Sequence, residues 1–514
     1  MTALGGRALS LLLVLAAAGC TKDAPPPHAA AAAAAAVAVD AGRAASPVTL
    51  TFLVTGAENG YLLPTPDEGL TRGGAAEMLG AWVSTEKHCP GPLAADGTAA
   101  CPDASTIALS TGDNANGQAI SSYSKGEPTA AVMARMGYAA SALGNRELDW
   151  PREQFLQNAK AGGFPYLAAN LWAKDDGAKQ LGLLPMRLLT RRGVKVAVVG
   201  LAAKKATQTP MPGRMAGLDS IPDEKALSDA AAAAKAAGAV VLALVTDGCL
   251  EEVPPLLEGH ADWNVAFVAG RRCEAAWPDA VGATRLVYPG RHLNSYSRVK
   301  VTVDAATGAL SGVEAASVDV SSGVNKAPAD EPAKALIADW KAKLDTALGD
   351  TIGFTATGLE QESKPMATWL TTSLREQFKT DVGLLNRKGV RQGLPAGALT
   401  SATVWDLVPF ENEIVTVKVT GEQLLAAAQN TEARFAGLRA KGEGFVDGKG
   451  ADLDPKKTYT LATTDYLYLG GDGFKLHEAD KAPTQTKVSW QSALIEWTAA
   501  KKSSEKKPLE KLLP

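Results

Sequence analysis

The sequence lacks a surplus of charge of either sign. Over 514 residues, 52 basic side chains stand against 55 acidic ones, for a formal net charge of −3, so nothing in it asks for a polyanion such as nucleic acid as partner. Beyond its first residues it also lacks any apolar run long enough to cross a membrane. No glycine-rich phosphate loop, zinc-finger spacing or nucleophile elbow occurs, which removes the common nucleotide-triphosphatase, structural-zinc and serine-hydrolase signatures. Histidine and cysteine are scarce, at five each. Alanine is abundant near the start, and the chain is too long for one hydrophobic core, so two or three domains are expected.

Arg7 precedes the apolar stretch ALSLLLVLAAA. That length suits the hydrophobic region of an export signal and falls short of a mature membrane span. The stretch ends in LAAAGC, which resembles the lipobox of bacterial lipoproteins, where cleavage precedes a cysteine that carries lipid. Residues 1–20 are thus expected to be a signal peptide ending at the lipidated Cys20, with a cleaved signal and a chance cysteine as the alternative. Residues 21–47 have no polar/apolar period and are expected to form a disordered Ala/Pro-rich tether. The expected location is the periplasmic face of the cell envelope, held by lipid in a membrane; Lys22 behind Cys20 favours the outer one by analogy with enteric bacteria. Cys89, Cys101, Cys249 and Cys273 are an even set for an oxidising compartment. Cys89 and Cys101 flank the loop HCPGPLAADGTAAC and are expected to staple it.

From Val48 to about Val320, β-branched runs alternate with amphipathic segments. VTLTFLVT, STIALST, YAASALGN, KVAVVGLA, AVVLALVT and WNVAFVAG read as buried strands. GGAAEMLGAWVSTE, EPTAAVMARMG, PREQFLQNAKAG and DEKALSDAAAAAKAAG have helical spacing. The pattern predicts an α/β layered domain with its site at the carboxyl ends of the strands. In DEPAKALIADWKAKLDTAL, the residues Leu336, Ile337, Trp340, Leu344 and Leu348 share one helical face, which predicts a bridging helix docked on a neighbour. A second pattern of helices and strands follows and ends in YTLATTDYLYLGGDGF.

The strand-end turns VTGAENGY, STGDNANG, SALGNRELDW, LVTDGC and VAGRRC, with LVPFENEIVTVKVTGEQL and TDYLYLGGDGF further on, resemble in order the bacterial periplasmic 5'-nucleotidase and UDP-sugar hydrolase family. That resemblance implies an α/β protein, α+β overall, of two domains. Residues 48–328 would be a four-layered metallophosphoesterase-like β-sandwich with flanking helices, 329–348 a linker helix, and 349–514 the nucleotide-binding C-terminal α/β domain. Family members hold two divalent ions on Asp-x-His, Gly-Asp, Gly-Asn-His, His and Gly-His-x-His turns, because carboxylates and imidazoles can keep two cations close enough to activate water and clamp a phosphoryl group.

Here Ala57 and Asn59 replace the first pair, Arg146 replaces the catalytic histidine, Asp247 the lone histidine, and Arg271 and Cys273 the last two. Asp113, Asn145 and Asp247 remain as a vestigial donor set. Unit charges about 4 Å apart interact by roughly 4 kcal/mol at an effective dielectric near 20, so Arg146 and Arg271 would oppose most of the attraction these carboxylates offer a metal. No cofactor is therefore expected; the alternative is one divalent ion (Mn, Zn or Mg) on that set or on the flanking Glu58, Glu147 and Asp149. None of His28, His88, His260, His292 and His477 falls on a ligand turn. Since the fourth and fifth turns converge in the family, the resemblance also implies a Cys249–Cys273 disulfide, with two buried thiols as the alternative.

In the second domain the resemblance implies a base stacked between two aromatics. Phe474 matches the Gly-Gly-Asp-Gly-aromatic loop, with Asp472 beside it, and the partner is Phe435 or, second, Phe445. LLNRKGVRQG supplies Asn386, Gly389 and Arg391, although Lys388 replaces a glycine. TWLTTSLREQF supplies Arg375 and has Thr368 and Thr372 where Asn and Asp are frequent. The expectation is an exported, lipid-anchored homologue with a decayed hydrolytic site and a nucleotide or nucleotide-like ligand. The alternatives are a phosphohydrolase with a remodelled single-metal site, or a structural or partner-binding envelope protein.

Overall fold

A computed structural model describes residues 46–514 apart from 68, 205–213, 275–277, 305–306, 326 and 443. The signal segment, Cys20, His28 and nearly all of the tether lie outside the described residues. Among these residues no helix is long and apolar enough to cross a membrane.

Two six-stranded sheets stack face to face. The first runs, in spatial order, Leu310–Asp319, Ser295–Val303, Val48–Thr55, Thr106–Ser110, Tyr138–Ala142 and Tyr166–Leu167. The second runs Ala280–Val281, Thr284–Val287, Val265–Arg271, Val241–Cys249, Val194–Leu201 and Met186–Arg191. Strand alternation explains the stacking. In VTLTFLVT the side chains of Leu50, Phe52 and Val54 enter the core between the sheets, while Leu53 enters the core on the other face. Phe52 meets Phe267 of the opposite sheet edge-on, with centroids 5.0 Å apart.

Helices cover both outer faces. Ala75–Glu86, Glu127–Met136 and Glu331–Leu348 pack on the first sheet, and Asp223–Ala236 on the second. The bridging helix buries Ile337, Leu344 and Leu348 and half-buries Leu336 and Trp340, the face its spacing predicts. Asp330 caps it by accepting from the Ala333 amide and also pairs with Arg135 at 2.8 Å, which fixes its start against the first sheet's helices. The hairpin Ser295–Val303/Leu310–Asp319 and the strand Met186–Arg191 are absent from the expectations above. Both are antiparallel additions at sheet margins, where alternating polar residues give a weaker apolar signal than a buried parallel strand does.

The second half is built on a five-stranded sheet, in order Ala433–Ala436, Val382–Asn386, Thr458–Thr464, Glu413–Thr420 and Thr484–Ser489. Lys364–Gln377 and Trp490–Lys501 share one core with it and Gly421–Ala428 another. Its segment 405–411 meets the first half. Asp406 accepts from the Ala119 amide, Trp405 meets Tyr123 edge-on at 5.4 Å, and Glu411 pairs with Lys125 at 2.9 Å. These contacts bring a wall of the second half over the strand-end turns of the first. Cys89 is bonded to Cys101 and Cys249 to Cys273, with Cα–Cα separations of 5.9 and 5.6 Å.

Candidate functional site

The five turns collect at the carboxyl ends of parallel strands, where an α/β sheet leaves a crevice. After Val48–Thr55 the amides of Ala57, Asn59 and Gly60 donate to the carbonyls of Gly112, Asp113 and Asn114, which zips the first turn to the second. Asp113 itself has φ 60. Gly144 can only be glycine: a Cβ there would lie 2.4 Å from the Asp113 nitrogen. Beneath these turns is a buried acid layer. Glu147 accepts from the amides of Asn114 (2.6 Å), Gly144 (2.8 Å) and Asp113 (3.3 Å). Burial first, and the Asp113 charge second, push its carboxyl up to about 8. Glu58 takes the hydroxyls of Thr55 and Ser110, and burial raises it to about 7.

Above this layer the charges are paired within the chain. The Arg271 Nη1 lies 3.1 Å from an Asp113 oxygen and 3.3 Å from an Asp247 oxygen. Asp113 also accepts from the Arg146 amide at 3.1 Å. The Arg146 guanidinium reaches Asp149 at 3.1 Å, and Asn116 donates to the same carboxylate at 2.7 Å. Burial of Arg146 is outweighed by Asp149, Asp113 and Asp247, so its pKa is raised and it stays a cation. Asn145 lines the cleft beside it.

A dimetal centre does not fit these residues. One guanidinium occupies the position between the two carboxylates, and Glu58, Glu147 and Asp149 are each engaged elsewhere. Among the described residues the one compact group of potential ligands is Cys249, Glu251 and Cys273, whose two sulfurs are bonded to each other. His292 lines the cleft but stacks on Tyr61 at 3.7 Å, and burial, with Arg291 next, pushes its pKa down to about 4.

The opposite wall comes from the second half and closes a cavity of about 730 Å³. Asn386, at the end of its strand, donates to Asp472 at 2.7 Å, and the Tyr466 hydroxyl reaches the same carboxylate at 3.3 Å. The Phe410 ring is shared by two cations, with the guanidinium carbon of Arg146 5.0 Å and that of Arg391 4.7 Å from its centroid. Tyr466, Phe410 and buried Trp490 are the aromatic lining on this side, and Tyr61 on the other. The arrangement can hold a flat ring against aromatic faces and an anion against guanidinium groups.

Known proteins carry the same organisation. The 5'-nucleotidase C-terminal domain family matches residues 342–478. Protein UshA of Yersinia enterocolitica is 26% identical over 436 residues, covering 72% of this chain and 78% of that one. The 5'-nucleotidase of Vibrio vulnificus is 24% identical over 443 residues, with the same coverage of 72% and 78%. The crystal structure of a 5'-nucleotidase precursor from Thermus thermophilus superposes with a TM-score of 0.72 at 20% identity, covering 89% of this chain and 97% of that one.

The chain is a two-domain 5'-nucleotidase homologue. Its metallophosphoesterase-like first half precedes the C-terminal domain, as in those relatives.

Within this homologue, Asp113, Asn145, Arg146, Asn386, Arg391 and Asp472 come together around the cleft, with Asp247 reaching it through Arg271. Three expected nucleotide contacts do not. Phe474 is 3% exposed and sits in a core of the five-stranded sheet, because Gly470 (φ 108), Asp472 (φ 50) and Gly473 (φ 80) turn the chain back before it. Phe435, on an edge strand, packs edge-on against Phe445 at 5.1 Å, so neither lines the cleft. Arg375 donates to the Asp381 carbonyl at 3.0 Å, outside the cleft. The sequence reading missed Tyr61, Arg291, Phe410, Tyr466 and Trp490. Phe410 and Tyr466 stand inside the two stretches that carry the resemblance, LVPFENEIV and TDYLYLGGDGF, but alternation and spacing do not say which aromatic of a turn faces outward.

Proposed function

We propose that the protein is an exported, lipid-anchored homologue of the 5'-nucleotidases that binds a nucleotide or nucleotide-like ligand and has lost dimetal hydrolysis. Residues 1–20 are its signal, Cys20 its lipid carrier, 21–47 its tether, 48–328 its metallophosphoesterase-like domain, 329–348 the linker and 349–514 the ligand-binding domain, on the periplasmic face of the outer membrane. The observation that carries the loss of hydrolysis is the single Arg271 guanidinium spanning Asp113 and Asp247. A guanidinium there neutralises the two carboxylates that a cation would need, and it activates no water. Ligand binding is supported by the aromatic and cationic lining of the cleft and by the relatives named 5'-nucleotidase. A base has the ring of Tyr466 to stack on, and stacking tolerates any base because each has a π face.

The test is calorimetry with AMP and UDP-glucose, metal content by elemental analysis, and phosphate or sugar phosphate release with added manganese. Nucleotide binding unchanged by EDTA, with no metal above background and no release, is the expected result. Manganese-dependent turnover that disappears in Asp113→Ala would overturn it and favour the single-metal hydrolase. Lipid attachment is read separately, as a mass increment and detergent-phase partition that Cys20→Ala abolishes.

A further inference from the structure

A second cavity, of about 680 Å³, lies on the seam between the halves and shares no lining residue with the cleft. Three parts of the chain wall it: the short helix Ala119–Ser122 of the first half, the bridging helix Glu331–Leu348, and the helix Ser401–Leu407 of the second half. Leu63, Ile120 and Leu344 give it an apolar lining.

Its charge is lopsided. Asp345, Asp350 and Asp406 line it against one cation, Lys341, and that ammonium is bonded to Asp345 one helical turn on. Two carboxylates are left over. Asp406 gives one oxygen to the Ala119 amide, and its other oxygen has no partner among the described residues. The Asp350 carboxylate has no hydrogen bond or ion pair among them either. Burial pushes the Asp406 carboxyl up from 3.8 to about 6, with the Ala119 amide and then the Lys341 charge working against it. A carboxylate desolvated to that extent gains from a cation that reaches its open oxygen.

The kind of cation follows from the spacing. Among the described residues the one group of three potential metal ligands close enough to share an ion is Cys249, Glu251 and Cys273. Asp345, Asp350 and Asp406 therefore do not converge on one point, as the ligands of a metal ion must. Separated carboxylates on apolar walls match a flexible chain with an ammonium at each end, since each ammonium brings three donors and the methylenes between them can cover side chains.

We propose that this seam cavity binds an aliphatic diamine, with one ammonium on Asp406, the other on Asp350, and the methylenes against Ile120 and Leu344. The site goes beyond the function proposed above and does not depend on it. A bound diamine would tie the two halves and the bridging helix together, because all three supply its walls.

The experiment is calorimetry at about 50 mM salt with 1,4-diaminobutane, 1-aminobutane and magnesium chloride, on the wild type and on Asp350→Asn and Asp406→Asn, with thermal melting to show that the variants fold. Asparagine at 406 keeps an oxygen for the Ala119 amide, so the charge is removed without the seam contact. The diamine is expected to bind about tenfold tighter than the monoamine, the factor that a second charged hydrogen bond supplies. Each variant should bring the diamine down to about the monoamine's level, and the margin should shrink between about 50 and about 500 mM salt. No diamine binding by the wild type, equal binding of the two amines, or a diamine affinity that either variant leaves intact would overturn the site. Magnesium binding that the variants abolish, with neither amine bound, would overturn it too and make the acids a metal site. Should Asp406→Asn fail to fold, the two amines on the wild type and Asp350→Asn still decide.

Discussion

On the first wall of the cleft, opposite charges come from the same chain and meet each other. Asp113 and Asp247 share Arg271, and Arg146 turns to Asp149. On the second wall the groups face outward, with Arg391 lacking an acid partner among the described residues and Phe410 and Tyr466 presenting rings to the cavity. The acids of the first wall are therefore met by cations of the chain itself, whereas Arg391 on the second wall has no acid beside it among the described residues. The strand-end turns are filled by the protein's own cations while the opposite wall keeps rings and a guanidinium on the cavity, so activity has to be argued from the site rather than from the fold.

The largest expected effect separates core from platform on the second wall. Phe474→Ala is expected to lower the unfolding free energy by about 3–5 kcal/mol, as loss of a buried aromatic does, whereas Tyr466→Ala should change stability far less and weaken nucleotide binding about tenfold. Urea titration and calorimetry on the two variants decide it, and the reverse pattern would restore Phe474 to the binding surface.

A somewhat smaller effect probes the acid layer under the first wall. Glu58 is raised from 4.5 to about 7. A raised acid binds its proton more tightly in the folded state, so its contribution is complete below pH 4.5 and falls as pH rises to about 7. The loss is about 3 kcal/mol. Subtracting the stability-versus-pH curve of Glu58→Gln from that of the wild type isolates this fall from the opposite effect of His88 and His292, both lowered to about 4. A flat difference curve between pH 4.5 and 7 would contradict it.

The smallest concerns the charge pairs themselves. Arg271→Ala leaves Asp113 and Asp247, with side chains 4% and 0% exposed, without that cation. Since Arg271 is 38% exposed and partly screened, the expected cost is about 2 kcal/mol rather than the full value of a buried pair. Adding Asp247→Asn should recover part of it, and no recovery would mean the pair does not neutralise the wall.

Most helices and parallel strands were legible in the sequence, since their apolar periods are written locally. Leu336 to Leu348 faced the core as their spacing required, and the five turns fell at strand ends because the runs before them are buried strands. The antiparallel hairpin at 295–319 was hidden by its alternating polar residues. Phe474 was misassigned for a different reason. A resemblance transfers the loop, but whether a ring after Gly-Asp-Gly points into the core or the cavity depends on three positive φ angles and on what packs behind it.

By itself the sequence determined the layered α/β order and the cysteine set, because those follow from residue type and short-range period; that Arg146 and Arg271 stand where histidines are expected followed from its resemblance to the 5'-nucleotidases. The tertiary structure alone decided which cations would be consumed by which acids. Asp113 lies in the turn after Thr106–Ser110, Asp247 and Arg271 lie on two strands of the other sheet, and Arg146, Phe410 and Arg391 span both halves. Charge pairing acts over a few ångströms in space, a distance that chain separation does not encode.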